Sequence, residues 1–271
     1  MFSNKGENQT KEIINAAKFS IFFIDEAQRV TLKDKGTIAD IKKFATEQKA
    51  EIEEIELDSQ FRCNGSDGYL AWLDNLLEIR ETANANSLEY DYDFRVFNDP
   101  NELYDAIVKR NDNNKARMVA GYCWDWVKAG QNNTDVLDIT IPEFGFAKSW
   151  NLGNTSTWAI DPESIEQIGC IHTCQGLEFD YVGVIIGDDM RYENGMIITD
   201  ATKRAKTDSS LKGLKKLSNE DPDAAEEIAD KIIKNTYRTL MTRGMKGCYV
   251  FCTDKPLAEY LKASLARLNK D

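Results

Sequence analysis

Short apolar runs rich in β-branched and aromatic residues alternate along this chain with longer stretches whose apolar positions recur at helical spacing. The runs at 19–24, 52–57, 94–97, 117–122, 168–172, 181–186 and 247–252 predict buried strands. The stretches at 10–17, 37–48, 67–79, 100–111, 223–241 and 256–268 predict helices. Several of these helices open on a capping or first-turn residue, such as Asp67, Asp99-Pro100 or Asp221-Pro222. Strand and helix in alternation predict an α/β layered fold with a mainly parallel sheet. Two stretches break the rhythm. Residues 128–158 are rich in Asn, Gly, Thr and Trp, and 191–219 are polar and lysine-rich, so both predict insertions on the α/β core.

With 271 residues, 42% of them apolar, the chain is long enough to bury one large core or two smaller ones. Thirty-four basic against 46 acidic side chains give a net charge of −12, so the surface as a whole repels polyphosphate backbones. Nucleic acid, if bound, is expected in a local groove. Residues 1–10 are polar, and no stretch nears the ~20 consecutive apolar residues of a membrane span, which predicts a cytoplasmic protein without membrane contact. The six cysteines never form C-x-x-C and there is one histidine, His172; reduced, mostly buried thiols are expected rather than a structural metal site.

Four segments carry candidate chemistry. The apolar run ending in Asp25-Glu26-Ala27-Gln28 places two acids at the end of a predicted strand, where a carboxylate can hold Mg²⁺ or polarise water beside a nucleoside triphosphate; the same acids also suit a solvated turn. In Gln60-Phe61-Arg62-Cys63, Arg62 suits a planar clamp on a γ-phosphate and Phe61 a stacking partner for a base, although an arginine in such a pattern, taken alone, is more often an ordinary surface residue. The stretch His172-Thr173-Cys174-Gln175-Gly176-Leu177-Glu178 runs straight into an apolar strand. Gly176 allows backbone N–H groups to approach an anion, and Glu178 is placed to accept from a ribose hydroxyl. Finally, Tyr237-Arg238-Thr239-Leu240-Met241-Thr242-Arg243-Gly244 ends a predicted helix, so that Thr242 and Arg243 are expected to project towards a cleft as phosphate contacts; a plain basic helix cap is the alternative.

In this order the segments resemble motifs of superfamily 1 helicases: Q-[FY]-R (motif IV), H-x-x-[QK]-G-x-E-[FW] (motif V) and [YF]-x-x-L-T-R (motif VI). Ser59–Ser66 with Tyr69 and Trp72, Ala120–Trp126 and Cys170–Asp180 resemble, more closely, a bacterial helicase-like family grouped with the Schlafen group 3 DNA/RNA helicase domain, over almost the whole chain. The resemblance implies a RecA-like P-loop NTPase fold with ATP and Mg²⁺ as cofactors and single-stranded DNA or RNA as partner. It implies a C-terminal remnant of a first RecA-like domain at 1–55 and a second RecA-like domain at 56–271, with insertions near 128–158 and 191–219.

Asp25–Gln28 resembles a Walker B box at first sight. Between Gln28 and Gln60, however, there is room for one helix and one strand, too little for a further motif-bearing strand, so the spacing fits motif III followed by motif IV. In that assignment Gln28 senses the γ-phosphate, Asp25 and Glu26 support it, Arg62 and Arg243 reach the γ-phosphate, Phe61 stacks on adenine, and Gln175, Gly176, Glu178 and Thr242 line the phosphate and ribose side. Gln175 stands where many relatives have lysine and Cys170 where many have threonine.

The Walker A pattern G-x-x-x-x-G-K-[ST] occurs nowhere in the sequence. The resemblance places it ahead of Met1, on a missing N-terminal RecA-like half or a partner that supplies it, and the chain alone is expected to be inactive as an ATPase. A non-catalytic module that binds nucleic acid or protein is the main rival. An unrelated nucleotide-binding protein, with a true Walker B at Asp25-Glu26, is a second.

Overall fold

The computed structural model describes residues 6, 8–32, 36–55, 63, 67–81, 92–127, 133–150 and 156–268. Its centre is a five-stranded, wholly parallel sheet built from β1 (Asp93–Phe97), β2 (Ala116–Ala120), β5 (Ile168–Gly169), β6 (Phe179–Ile186) and β9 (Gly244–Cys252), in the order β1-β9-β6-β2-β5.

The strands are apolar on both faces, as a parallel sheet covered on both sides requires. Val182, Val184, Ile186, Cys248 and Val250 face one layer, formed by α3 (Asp67–Leu76), α7 (Pro222–Met241) and α8 (Lys255–Leu268). Met118, Ile185, Tyr249 and Phe251 face the other, formed by α4 (Pro100–Lys109) and the antiparallel hairpin of β3 (Ile139–Ile141) and β4 (Phe146–Lys148). Gly183 lets α4 lie close to the sheet: a Cβ there would sit 2.3 Å from Met118 Sδ and 2.7 Å from Ile107 Cγ1.

Helices start where the sequence supplies caps. Asp99 accepts from Asn101 N–H ahead of Pro100, and Asp221 accepts from Ala224 N–H ahead of Pro222. Thr37 and Asp40 form a reciprocal capping box at the start of α2 (Ile38–Glu47), and Asn8 caps α1 (Gln9–Ala16).

The expected alternation holds from residue 93 onward, and the differences have physical reasons. Residues 19–24 and 52–55 form no strand, because no neighbouring strand is present among the described residues to supply ladder hydrogen bonds; Phe19 and Phe23 are 82% and 86% exposed. The strand expected over 168–172 stops at Gly169. Thr173 Oγ1 accepts from Cys170 N–H and donates back to Cys170 O, turning the chain into α5 (Ile171–Cys174). The two insertions are partly ordered: the first contains β3 and β4, and the second overlaps the hairpin of β7 (Met190–Glu193) and β8 (Met196–Thr199) and carries α6 (Leu214–Glu220). Among the described residues, which include all six cysteines, no disulfide forms and five of the thiols are buried. No helix among them is long and apolar enough to cross a membrane.

Candidate functional site

The last ten residues of α7, from Ile232 to Met241, are all buried. A helix end in such a place must find donors for its terminal carbonyls. Tyr69 Oη donates to Met241 O (3.0 Å), Cys63 Sγ to Thr242 O (3.9 Å), Phe179 N–H to Arg243 O (2.8 Å) and Tyr92 Oη to Gly244 O (3.1 Å). The donors come from three parts of the sequence, so this helix end is where the segments of Cys63, Phe179 and Arg243 meet.

Thr242 and Arg243 lie inside this junction, each 1% exposed, rather than projecting outward. Arg243 Nε donates to Thr239 O (2.9 Å), Nη1 to Leu177 O (3.3 Å) and Nη2 to Thr242 Oγ1 (3.4 Å). The electron-rich helix C-terminus draws the guanidinium back onto its own last turn. Leu177 belongs to the turn that carries Gln175, Gly176 and Glu178, all exposed. Gly176 adopts φ +85° with open space around it, a backbone state that suits glycine, and Leu177 N–H closes the turn on Cys174 O (3.0 Å). Gln175, Gly176, Glu178, Thr242 and Arg243 are thus brought together, at the sheet edge where β6 and β9 begin.

Asp25, Glu26 and Gln28 sit elsewhere. Gln28 Nε2 donates to Asp25 Oδ2 (2.6 Å) across a single 3-10 turn, and Glu26 Oε1 accepts from Ile38 N–H (3.0 Å), which ties this turn to the start of α2. The segment is seated on α7 by Asn235 Nδ2, which donates to Arg29 O (3.0 Å). Asn235 precedes Arg243 by eight residues, roughly 12 Å along a helix. Phe61 and Arg62 lie outside the described residues; their neighbour Cys63 is buried against Thr242.

At the other edge of the sheet, where β2 and β6 end, is a buried polar network that the sequence pattern missed. Tyr237 Oη accepts from Gly187 N–H (3.0 Å) and donates to Asp189, while Arg204 donates to Asp189 (3.2 Å), Asp208 (2.5 Å) and Ser210 (3.3 Å). Burial, foremost, pushes the Asp189 carboxyl up from its ordinary value, and its ion pair with Arg204 opposes that shift. The only sequence clue was Gly121-x-x and Gly187, two glycines after apolar strands: a Cβ on Gly121 would lie 2.0 Å from Tyr237 Oη. On the α4 face, an open depression of about 540 Å³ is lined by Arg95, Lys109, Arg110 and Tyr249; it holds none of the candidate residues, and Arg95 and Arg110 are paired there with Asp93.

The sequence as a whole decides the family. Residues 1–254 match the family described as Schlafen group 3, DNA/RNA helicase domain. This chain belongs to that family. It is also similar to YPL245W, an uncharacterized protein of Saccharomyces cerevisiae, at 25% identity over 284 residues, covering 94% of this chain and 59% of the yeast protein. The chain therefore spans little more than half of that relative's length. No solved structure matches it.

Proposed function

We propose that this Schlafen group 3 helicase-domain chain is the second motor half of a superfamily 1 type DNA or RNA helicase. In this reading residues 56–271 form a RecA-like domain, and 1–55 belong to a first one. The observation that carries it is the hydrogen-bonded junction of the Leu177 turn with Arg243 at the start of β6 and β9, within a parallel sheet and a family-wide match.

The described residues do not by themselves fit a nucleoside triphosphate. No Walker A sequence is present, and the donors of Arg243 are engaged with carbonyls. No phosphoryl-transfer step is assigned to them. What they fit is one wall of a nucleotide cleft: the exposed turn 175–178 presents the side-chain-free Gly176 backbone and the Glu178 carboxylate, with Arg243 behind it as a buried cation. Gln28, Arg62 and Phe61 take the sensing, clamping and stacking roles of the motif assignment. ATP and Mg²⁺ require a P-loop supplied by another segment or partner.

The test is Mg²⁺-dependent ATP hydrolysis with single-stranded DNA or RNA, on this chain and on a form extended upstream through its reading frame. Activity in the extended form alone, lost on Arg62→Ala, supports the motor-half reading. Robust activity of the short chain, abolished by Glu26→Gln, replaces it with the Walker B reading. Inactivity of both forms with retained nucleic-acid binding favours the non-catalytic module, a reading that the engaged state of Arg243 also suits.

A further inference from the structure

The chain is acidic overall, yet residues 201–216 contain six basic side chains (Lys203, Arg204, Lys206, Lys212, Lys215, Lys216) and one acid, Asp208. Arg204 is buried in the Asp189 network, and the five lysines are exposed. The fold fastens this segment to the aromatic run that follows β2. Ala205 N–H donates to Tyr122 O (2.9 Å), Lys206 N–H to Asp125 Oδ1 (2.8 Å), and Trp126 N–H to Thr207 Oγ1 (3.1 Å). Tyr122, Trp124 and Trp126 are half-buried; Tyr122 stands edge-on to Trp150, with ring centroids 4.9 Å apart, and Trp124 is fixed by Nε1–H donating to Thr140 O (3.0 Å). Lys216 is paired with Glu220 (3.7 Å), while two other acids help to hold the segment: Asp125 accepts from Lys206 N–H, and Asp208 from Arg204 and Ser210. Local positive charge and partly exposed rings are therefore held side by side on a rigid support, at the sheet edge away from the Arg243 junction.

We infer that this edge is a single-strand binding track, in which the lysines of the 203–216 insertion follow the phosphates and Trp126 offers a face to a base. Single-stranded nucleic acid is the ligand whose chemistry matches both halves: a charged backbone for the lysines and a π-face on every base for the indole. A folded acidic protein surface lacks the regular alternation of charge and flat rings. The inference rests on the nucleic-acid part of the proposed function and locates it on residues outside the segments that resemble motifs IV, V and VI.

The experiment is fluorescence anisotropy with labelled dT20 and U20 oligonucleotides, titrated with the whole chain without nucleotide at several salt concentrations. Lys203→Glu/Lys206→Glu is expected to weaken binding at least tenfold and to flatten the slope of log affinity against log salt by about 1.4, since each phosphate contact on a single strand contributes roughly 0.7. Lys109→Glu/Lys115→Glu, the same charge change at the edge where the strands begin, is expected to stay within about threefold of the parent. Trp126→Ala is expected to lose at least fivefold at unchanged salt slope, and Trp126→Phe to recover most of it. Thermal melts show whether each variant is folded. If the parent chain binds and Lys203→Glu/Lys206→Glu binds as well as the control pair, the track is elsewhere and this inference is overturned, while the nucleic-acid reading stands. If the parent chain binds neither oligonucleotide at low salt, both fall.

Discussion

Arg243 Nη1 and the carbonyl of Leu177 meet at 3.3 Å, and through that contact the end of α7 holds the exposed turn carrying Gln175, Gly176 and Glu178. Removing the guanidinium leaves the buried Thr239 carbonyl and the part-buried Leu177 carbonyl without this donor. Arg243→Ala is therefore expected to lower stability by about 2–3 kcal/mol, read as a shift in the urea midpoint, and to speed amide exchange at 175–178. Unchanged exchange there would show that the turn is held by its own Leu177–Cys174 bond alone.

Arg117 presents a second buried cation. It is fully buried on β2 and donates to the carbonyls of Ala116 (2.7 Å), Ala159 (3.0 Å) and Asp161 (3.0 Å), which fastens 158–161 to the sheet. Burial, the leading cause, draws its pKa down from the usual arginine value. Arg117→Ala leaves those carbonyls unpaired and is expected to cost about 3 kcal/mol or more. Thermal unfolding measures it, and a shift no larger than that of a surface arginine such as Arg267→Ala would refute the assignment.

Asp93 sets an acid-side dependence. Desolvation raises its pKa, but hydrogen bonds from Arg95 and Tyr249 and the nearby Arg110 outweigh it, so the folded carboxyl lies below its ordinary value. A depressed acid contributes stability that is present above the unfolded pKa and is lost as pH falls through the folded one. Asp93→Asn should thus flatten the loss of stability below about pH 4, as followed by urea titrations between pH 2 and 7. An unaltered acid limb would assign that loss to other carboxylates.

Phe19, Ile21 and Phe23 are 82%, 67% and 86% exposed in a segment with no strand partner among the described residues. Such an apolar stretch invites self-association. Phe19→Ser/Phe23→Ser is expected to reduce the weight-average mass in sedimentation at high concentration. A parent chain that is already monodisperse and monomeric there would remove the basis for this expectation.

Six cysteines with raised or shielded thiols predict slow chemistry. Burial pushes Cys174 up to about 12, and Cys123, the one half-buried thiol, is pushed well up by desolvation and then by Asp189. Thiolate is the reactive form, so Ellman's reagent at pH 8 should label the native chain over hours and the unfolded chain within minutes; fast labelling of one native thiol would place Cys123 in a more open setting.

Strands 94–97, 117–122, 181–186 and 247–252 were legible because a parallel sheet buried on both faces needs continuous apolar runs, and the helices because Asp99, Asp221 and Thr37 mark their starts. The same criterion misread 19–24 and 52–55, since apolarity reports a wish for burial and not the presence of a partner. The motif order singled out Gly176, Glu178 and Arg243, but not that the arginine folds back, because the competition between helix carbonyls and a distant anion is tertiary. Nor could it find Asp189 and Arg204: a buried ion pair is spelled in the same letters as a solvated loop.

Asn235 holds the segment after Asp25–Gln28 through Arg29 O, and the same helix runs on to Met241, with Arg243 just past its Thr242 cap. With α7 buried over that span it acts as a stiff lever about 12 Å long. Tilting it by 5° at Asn235 would displace the Arg243 end by about 1 Å, enough to break a 3.3 Å hydrogen bond to Leu177. The chain just after the Gln28 turn and the guanidinium are therefore both fastened to the same buried stretch of α7, at Asn235 and Thr239.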